Sequence, residues 1–295
     1  MRAVATTAII LAVALAVPAA GCAGPRGARP GAAEQGSATA AGAASMPATA
    51  GGPGTHARTP STVAQLCGPP EAPGRLITVR AADGVRLAAV AAGTGERGVV
   101  LIPELGPRGK CGWWDFAAYL AARGYRVLLF DHRCTGESAC APGPAGGGLM
   151  SDIRGAVTRL RQEGAARIAL VGASQGGSEA LIAATAPPRS VTGVAALSAD
   201  ELTLSLASRP YPATALTAVR RLRLPVLFAV ATADPYVSVR ETRHLLATAG
   251  SRSKRLIVLG AGAGHGWDLV SPTLPSGRLP AFGQTVLAFL RGVTS

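Results

Sequence analysis

Short apolar runs alternate with amphipathic stretches along most of the chain. The runs are rich in Val, Ile and Leu, which is typical of strands that are buried on both faces. The predicted strands are 76–80, 85–91, 99–102, 127–130, 168–171, 191–198, 226–230 and 256–259. The predicted helices are 113–123, 150–163, 177–186, 213–221, 239–249 and 281–291. The first two strands form a hairpin, and the strand–helix units after it predict a mostly parallel, doubly wound sheet with helices on both faces.

The stretch between Ser198 and Pro225 is short. It has room for the predicted helix 213–221 and a loop, and for little else. The sequence therefore predicts a small or absent lid over that edge of the sheet, so a site there would be open to solvent.

The segment 167–177 reads R-I-A-L-V-G-A-S-Q-G-G and places Ser174 in G-x-S-x-G between a buried strand and a helix. Such a turn is strained and needs neighbours with little or no side chain, which Gly172, Ala173 and Gly176 provide. This context predicts that the Ser174 hydroxyl stands at the C-terminal edge of the sheet as a nucleophile. The simpler interpretation is a glycine-rich turn with an idle serine, since the chain has 38 glycines.

An acid and a base are expected downstream of such a serine, each just after a strand. Asp234 follows the predicted strand 226–230, and His265 follows the predicted strand 256–259. In this arrangement His265 takes the proton of the Ser174 hydroxyl, while Asp234 fixes the tautomer of the imidazole and stabilises its cation. Ser174, Asp234 and His265 are therefore the candidate catalytic residues.

Each of these assignments has a rival. Among the four histidines, His132 is the only rival base, because it also follows a predicted strand, but it precedes the serine in the sequence. Asp234 stands before a proline and a predicted helix, where an aspartate often serves as an N-cap. Asp268 is a weaker rival for the acid, and capping of a helix or turn is its simpler role.

These residues make the chain similar to the alpha/beta-hydrolase superfamily over about residues 75–294. The segments 232–237 and 264–266 carry the resemblance beside the serine turn. So does 125–138, Y-R-V-L-L-F-D-H-R-C-T-G-E-S, which resembles the family's strand and D-x-R-G-x-G-x-S loop, with Cys134 where glycine is usual. The resemblance implies an alpha/beta-hydrolase fold and serine chemistry through an acyl-enzyme without a cofactor. It does not select a substrate, because one fold hosts many functions.

The resemblance also implies an oxyanion hole. One donor would be the backbone N–H of Gln175, the residue after the serine, and the other an N–H from the loop after the third strand. That loop reads Pro103-Glu104-Leu105, where many relatives carry His-Gly. We expect the N–H of Leu105 to be the second donor, with the N–H of Glu104 as the alternative. A carboxylate near the developing oxyanion opposes catalysis unless the Glu104 side chain points away.

The N-terminus resembles a bacterial lipoprotein signal sequence. One arginine follows the first methionine, residues 8–17 are apolar, and the residues that end in Cys22 read A-G-C, as in a lipobox. This predicts that 1–21 is a signal peptide and that Cys22 is acylated as the first mature residue. A plain secretory signal and an uncleaved anchor are the alternatives.

The stretch 22–62 is rich in Gly, Ala, Pro, Ser and Thr and has almost no large apolar residues. It cannot bury enough surface to offset the entropy lost on ordering, so we expect a disordered tether. The remaining residues, 63–295, fit a single α/β domain. The predicted location is outside the cytoplasm, attached to the membrane by lipid, or secreted if Cys22 is not acylated.

Four cysteines remain when Cys22 is set aside, which is an even number for an oxidising compartment. Three connectivities exist, and we favour Cys67 with Cys111 and Cys134 with Cys140. Four reduced cysteines are the alternative. No metal site is expected, because the spacings match no usual zinc pattern.

The formal net charge of +13 comes almost entirely from arginine, since Lys110 and Lys254 are the only lysines. The arginines are scattered along the chain, and aromatic residues make up only 4%. This distribution does not favour nucleic-acid binding.

The sequence thus predicts an extracytoplasmic serine hydrolase that is tethered to the membrane and takes a small-molecule or acyl substrate. A carboxylic-ester hydrolase is favoured. A peptidase or acyltransferase that uses the same three residues stays open. So does a non-catalytic binding lipoprotein on a hydrolase scaffold.

Overall fold

The computed structural model describes part of the chain, from the start of the predicted domain to the C-terminus with two internal gaps and one near its end. The predicted signal peptide, Cys22 and nearly all of the predicted tether lie outside it, so those predictions and the domain boundaries remain predictions. The described residues are 60–140, 148–201, 214–271 and 280–295.

An eight-stranded sheet forms the centre of the fold. The strands are β1 (Arg75–Arg80), β2 (Arg86–Ala92), β3 (Arg97–Ile102), β4 (Tyr125–Phe130), β5 (Arg167–Ala173), β6 (Val191–Leu197), β7 (Val226–Ala231) and β8 (Lys254–Leu259). They lie in the order β1-β2-β4-β3-β5-β6-β7-β8. The pairs β1–β2 and β2–β4 are antiparallel and all other pairs are parallel. The prediction of a hairpin followed by a parallel sheet is confirmed.

Helices cover both faces of this sheet, as predicted. The helices of the described residues are α1 (Val63–Cys67), α2 (Trp114–Ala121), α3 (Gly148–Gln162), α4 (Gln175–Ala183), α5 (Ala215–Val219), α6 (Val239–Thr248) and α7 (Ala281–Thr294). Alternate residues of β3 show the arrangement. Val99 and Leu101 belong to the core under α1, α2 and α7, whereas Val100 and Ile102 belong to the core under α3, α4, α5 and α6. The inner strands β3 to β7 each contribute to two cores in this way, which explains their nearly continuous apolar sequences.

Three helices differ from the prediction. The predicted helix 113–123 is a 3₁₀ turn, Gly109–Trp113, that continues into α2. Its start is fixed by tertiary contacts, because the buried Trp113 donates from Nε1 to the carbonyl of Ile102 at 3.0 Å. The short helix α1, which the periodicity did not predict, begins after Thr62, whose side chain accepts the N–H of Gln65. The predicted helix 213–221 is only the five-residue α5.

Both favoured disulfides are present, Cys67–Cys111 and Cys134–Cys140. The first joins the end of α1 to the 3₁₀ turn that follows β3. Disulfides are compatible with a protein outside the cytoplasm, where thiols are oxidised. Among the residues that the structure describes, no helix has the length and apolar character to cross a membrane.

Buried Asp131 organises the loop after β4, next to the site. Its carboxylate accepts hydrogen bonds from the N–H of Lys110 at 2.8 Å, from Lys110 Nζ at 2.7 Å and from the N–H of Glu137 at 3.2 Å. Gly109 and Gly136 have φ of 48° and 51°, and a Cβ on either would lie under 2.5 Å from this carboxylate. The loop after β4, which resembles the D-x-R-G-x-G-x-S loop of the family, is therefore folded around the buried carboxylate of Asp131.

Candidate active site

Ser174 is the single residue between β5 and α4. Its backbone has φ of 49° and ψ of −122°, a left-handed conformation that is rare for a serine. Two close approaches require glycine here. A Cβ on Gly172 would lie 2.0 Å from the carbonyl oxygen of Gly176, and a Cβ on Gly176 would lie 2.3 Å from the carbonyl oxygen of Pro103. The small residues of G-x-S-x-G thus allow the turn to be sharp and bring the loop after β3 against it.

Asp234 and His265 meet at the C-terminal ends of β7 and β8. His265 Nδ1 lies 2.8 Å from Asp234 Oδ1 and 2.9 Å from Oδ2. The Asp234 side chain is fully buried, and Oδ1 also accepts the N–H groups of Tyr236 and Val237 at 3.0 Å. Burial raises the pKa of Asp234, but hydrogen bonds from His265, Ser198 and these N–H groups outweigh it and hold that pKa below 3.8. Asp234 is therefore an ionised acceptor that orients the imidazole.

The geometry does not support Asp234 as a helix N-cap or Asp268 as the acid partner of His265. The N-cap of α6 is Ser238, which forms a capping box with Glu241, so the alternative of Asp234 as an N-cap is wrong. The backbone N–H of Asp268 donates to the His265 carbonyl at 3.0 Å. Of the two acids, Asp234 alone forms a side-chain hydrogen bond with the imidazole.

The loop of His265 lies beside the serine turn. A Cβ on Gly266 would lie 3.3 Å from the Cβ of Ala173, the residue before Ser174. Within the described residues, no hydrogen bond joins the Ser174 hydroxyl to His265, whose Nε2 is the nitrogen not used by Asp234. Such contacts are often loose without substrate and tighten in the bound complex. The structure therefore brings the acid and the histidine together and leaves the serine contact as a prediction.

The loop 103–106 lies against the first turn of α4, where the oxyanion hole was predicted. Gln175 is the first residue of α4, so its N–H belongs to the positive end of that helix. The backbone N–H groups of Glu104 and Leu105 donate no hydrogen bond within the described part of the chain. Both remain available as the second donor, and Leu105 remains our choice.

The Glu104 side chain does not point away from the site. Its Oε2 accepts the N–H of Trp267 at 3.4 Å, and a Cβ on Gly266 would lie 1.8 Å from this oxygen. Gly266, with φ of 57°, thus allows the carboxyl to approach the loop of His265. Burial raises the pKa of Glu104 from 4.5 to about 7, although the charge of His265 and the hydrogen bond from Trp267 act in the opposite direction. At neutral pH both protonation states of this carboxyl are populated.

The rival base, His132, is buried behind the loop after β3. Its Nε2 lies 3.1 Å from the carbonyl of Pro103, and its Nδ1 lies 3.6 Å from Oε2 of the buried Glu179. Because a carbonyl only accepts, Nε2 carries the hydrogen of this bond. His132 therefore braces the loop after β3.

The entrance of the site is partly apolar. The ring of Tyr236 is 77% exposed and lies edge-on to the His265 imidazole, with centroids 4.8 Å apart. Leu105, in the oxyanion loop, is 39% exposed. Within the described residues, no three His, Cys, Asp or Glu side chains cluster in a way that could hold a metal ion.

Sequence reasoning missed Ser198, which follows β6 and is fully buried. Its hydroxyl accepts the N–H of Gly266 at 3.0 Å and helps to lower the pKa of Asp234. The only local signal was a serine at the end of an otherwise apolar strand. It also missed the contact between Glu104 and Gly266, for which glycine directly after the histidine was the only hint.

Three solved structures show the same fold. An esterase from Pyrococcus furiosus superimposes with a TM-score of 0.63 at 18% identity, covering 76% of this chain and 92% of its own. A thermophilic esterase from Thermogutta terrifontis has a TM-score of 0.59 at 18% identity, with coverages of 75% and 100%. A meta-cleavage product hydrolase from Pseudomonas fluorescens IP01 has a TM-score of 0.59 at 17% identity, with coverages of 73% and 97%. At such identities the likeness establishes the fold and no activity.

Comparison with curated proteins found no match. Comparison with protein families matched residues 98–272 to the family described as alpha/beta hydrolase fold. This match spans more than half of the chain and includes Ser174, Asp234 and His265. The chain therefore belongs to the alpha/beta hydrolase fold family.

Proposed function

We propose that the protein is a serine hydrolase that cleaves carboxylic esters. The observation that carries the proposal is the hydrogen-bonded pair of Asp234 and His265 next to the left-handed turn at Ser174. An ionised acid on Nδ1 leaves Nε2 as the nitrogen that can take a proton, which is the arrangement that nucleophilic catalysis by serine needs.

The proposed reaction has two halves. In the first, Ser174 Oγ attacks the ester carbonyl carbon while His265 Nε2 takes the hydroxyl proton, and the N–H groups of Gln175 and Leu105 bind the oxyanion. The C–O bond to the alcohol then breaks, and His265 returns the proton to the leaving oxygen. In the second half, water attacks the acyl-enzyme with the same proton transfers, which releases the acid and restores Ser174.

Two features favour ester substrates with apolar groups. The exposed ring of Tyr236, which contacts the His265 imidazole, and the exposed side chain of Leu105 offer apolar contact to a substrate. In addition, two of the solved structures with this fold are named esterases. A peptidase or an acyltransferase would use the same residues, and the choice between them depends on the acceptor and the leaving group.

The proposed location is outside the cytoplasm, with residues 1–21 as signal peptide and an acylated Cys22 as membrane anchor. The two disulfides support an oxidising compartment. The lipobox-like sequence supports the anchor. Metabolic labelling with an alkyne fatty acid tests the anchor, because Cys22→Ala should abolish the label and release the protein from membranes.

The test of the activity uses the full chain with a fluorophosphonate probe and with p-nitrophenyl acetate, butyrate and octanoate. Wild type should be labelled on Ser174, as shown by mass spectrometry of the labelled peptide, and should hydrolyse the esters. Ser174→Ala and His265→Ala should lose both signals. Ser190→Ala is the matched control. Ser190 is a buried serine that precedes β6, whereas the candidate site lies at the C-terminal ends of the strands.

A folded wild type without label or turnover would overturn the proposal and favour a binding protein on a hydrolase scaffold. Labelling of another serine would also overturn it. If wild type is active, its relative rates on acetate, butyrate and octanoate esters would indicate the size of the acyl pocket.

A further inference from the structure

Ser198 occupies a special place at the end of β6. The strand lies between β5, which leads to Ser174, and β7, which leads to Asp234. Ser198 is fully buried and has φ of 50°. Among the described residues, only Ser174 and Cys134 share a positive φ without being glycine. Such a conformation persists in a serine where the surroundings fix it, and it often marks a functional site.

The backbone around Ser198 is fixed on both sides. Its N–H donates to the carbonyl of Ala229 in β7 at 2.8 Å. The carbonyl of the preceding residue, Leu197, accepts the N–H of Ser174, also at 2.8 Å. The end of β6 is thus bonded directly to the serine turn and to the strand that carries the acid.

The hydroxyl of Ser198 connects the acid to the residue after the base. Its Oγ accepts the N–H of Gly266 at 3.0 Å, so its own hydrogen is available for the carboxylate of Asp234, whose pKa this hydroxyl helps to lower. One hydroxyl therefore acts on both the loop of Asp234 and the loop of His265. These two residues are 31 positions apart in the sequence.

We propose that Ser198 is a positioning residue. Its hydroxyl holds Asp234 and the loop of His265 in the relative positions that proton transfer to and from Ser174 needs. This inference rests on the proposed function. Ser198 touches neither the substrate nor the reacting atoms, so its effect passes through the acid and the base.

Loss of this hydroxyl should have two consequences. The Asp234 carboxylate loses a donor, becomes more basic and holds the proton of the imidazolium more tightly. The N–H of Gly266 loses its acceptor, so the loop of His265 is held less firmly. We therefore expect a lower kcat at nearly unchanged KM, and an acidic limb of the kcat/KM profile that moves to higher pH.

Two variants separate the hydroxyl from the backbone. Glycine adopts φ of 50° freely, so Ser198→Gly removes the hydroxyl and any strain together, whereas Ser198→Ala removes only the hydroxyl. Ser190→Ala is the control, because Ser190 directly precedes β6 as Ser198 directly follows it, and within the described residues the buried Ser190 hydroxyl makes no hydrogen bond.

We expect kcat to fall about 10- to 100-fold in both Ser198 variants, with KM within about 2-fold of wild type. The acidic limb should shift upward by several tenths of a pH unit, and Ser190→Ala should match wild type. A folded Ser198→Gly with wild-type kcat and pH profile would overturn the inference. Thermal melting monitors folding, and Ser198→Gly carries the test if Ser198→Ala does not fold.

A second readout works without turnover. The Nδ1–H proton of His265, which is hydrogen-bonded to Asp234, should give a downfield proton NMR signal that His265→Ala lacks. Both Ser198 variants should exchange this proton with water at least about 10-fold faster than wild type and Ser190→Ala. Unchanged exchange would refute the positioning role even if the protein had no hydrolase activity, so the two proposals fail separately.

Discussion

Replacing Glu104 by glutamine should make the protein more stable above neutral pH and leave it unchanged in acid. Glu104 lies in the loop after β3, and its carboxyl packs against the backbone of Gly266 and Trp267. Burial raises its pKa from 4.5 to about 7, so the folded protein holds this proton more tightly than the unfolded chain does. Glutamine keeps the shape of the side chain and does not ionise.

The sign and size of the effect follow from proton linkage. Between pH 4.5 and about 7 the folded state binds more protons than the unfolded state, so the stability of wild type falls as the pH rises through this range and levels off above it. The full difference in pKa corresponds to about 3 kcal/mol. Because Glu104 is only half-buried, screening by solvent reduces this to about 1–2 kcal/mol.

Thermal unfolding of wild type and Glu104→Gln at several pH values from 5 to 8.5 measures this difference. At pH 5 the two melting temperatures should differ by less than about 2 °C, and at pH 8.5 the variant should melt about 2–8 °C higher, as expected for a domain of this size. Glu71→Gln is the control, because Glu71 is exposed and forms no ion pair within the described residues. A difference in melting temperature that is independent of pH, or one that the control shares, would refute the reasoning.

The same carboxyl should shape the pH dependence of activity if the proposed function holds. An ionised Glu104 next to His265 and the oxyanion loop opposes the negative charge that develops on the substrate oxygen. Wild-type kcat/KM should therefore decline above about pH 7, and Glu104→Gln should lack this alkaline decline. An alkaline limb that persists unchanged in the variant would assign it to another group.

Three further predictions concern the acid, the serine turn and a disulfide. Asp234→Asn should lower kcat about 10³- to 10⁴-fold in the ester assay with a smaller change in KM, because an amide favours the wrong imidazole tautomer; retention of more than a tenth of wild-type kcat would contradict this. Gly176→Ala should lower the free energy of unfolding by about 2–4 kcal/mol in urea titrations, since its Cβ would lie 2.3 Å from the Pro103 carbonyl oxygen, and an unchanged midpoint would disprove the close approach. Replacing Cys67 and Cys111 together by serine should cost about 2–4 kcal/mol in the same assay, whereas no loss would mean that this bond adds no stability.

The fold could be predicted because each strand carries its own signal. The strands β3 to β7 are buried on both faces, so their sequences are short apolar runs that stand out from the helices between them. The pattern failed where tertiary contacts decide the backbone. The 3₁₀ turn before α2 is such a case, because Trp113 reaches the carbonyl of Ile102, 11 residues earlier.

The candidate site could be predicted only in its chain order. Strand ends select Ser174, Asp234 and His265, since all three follow strands of one parallel sheet. Contacts across the site are different, because their partners are far apart in sequence and no local pattern encodes them. Glu104 meets Trp267 across 163 residues, and Ser198 meets Gly266 across 68. Both contacts depend on Gly266, the residue after the histidine. Its positive φ is visible only in the structure.

The departure from His-Gly in the oxyanion loop is accompanied by a buried polar chain behind it. His132 donates from Nε2 to the carbonyl of Pro103, and its Nδ1 faces Glu179 at 3.6 Å. Glu179 in turn accepts a hydrogen bond from Nε2 of Gln175 at 2.8 Å. These side chains lie between the loop after β3 and Gln175, the two places proposed for the oxyanion donors. If the proposed oxyanion hole forms there, its geometry depends on these buried side chains as well as on Pro103 and Glu104.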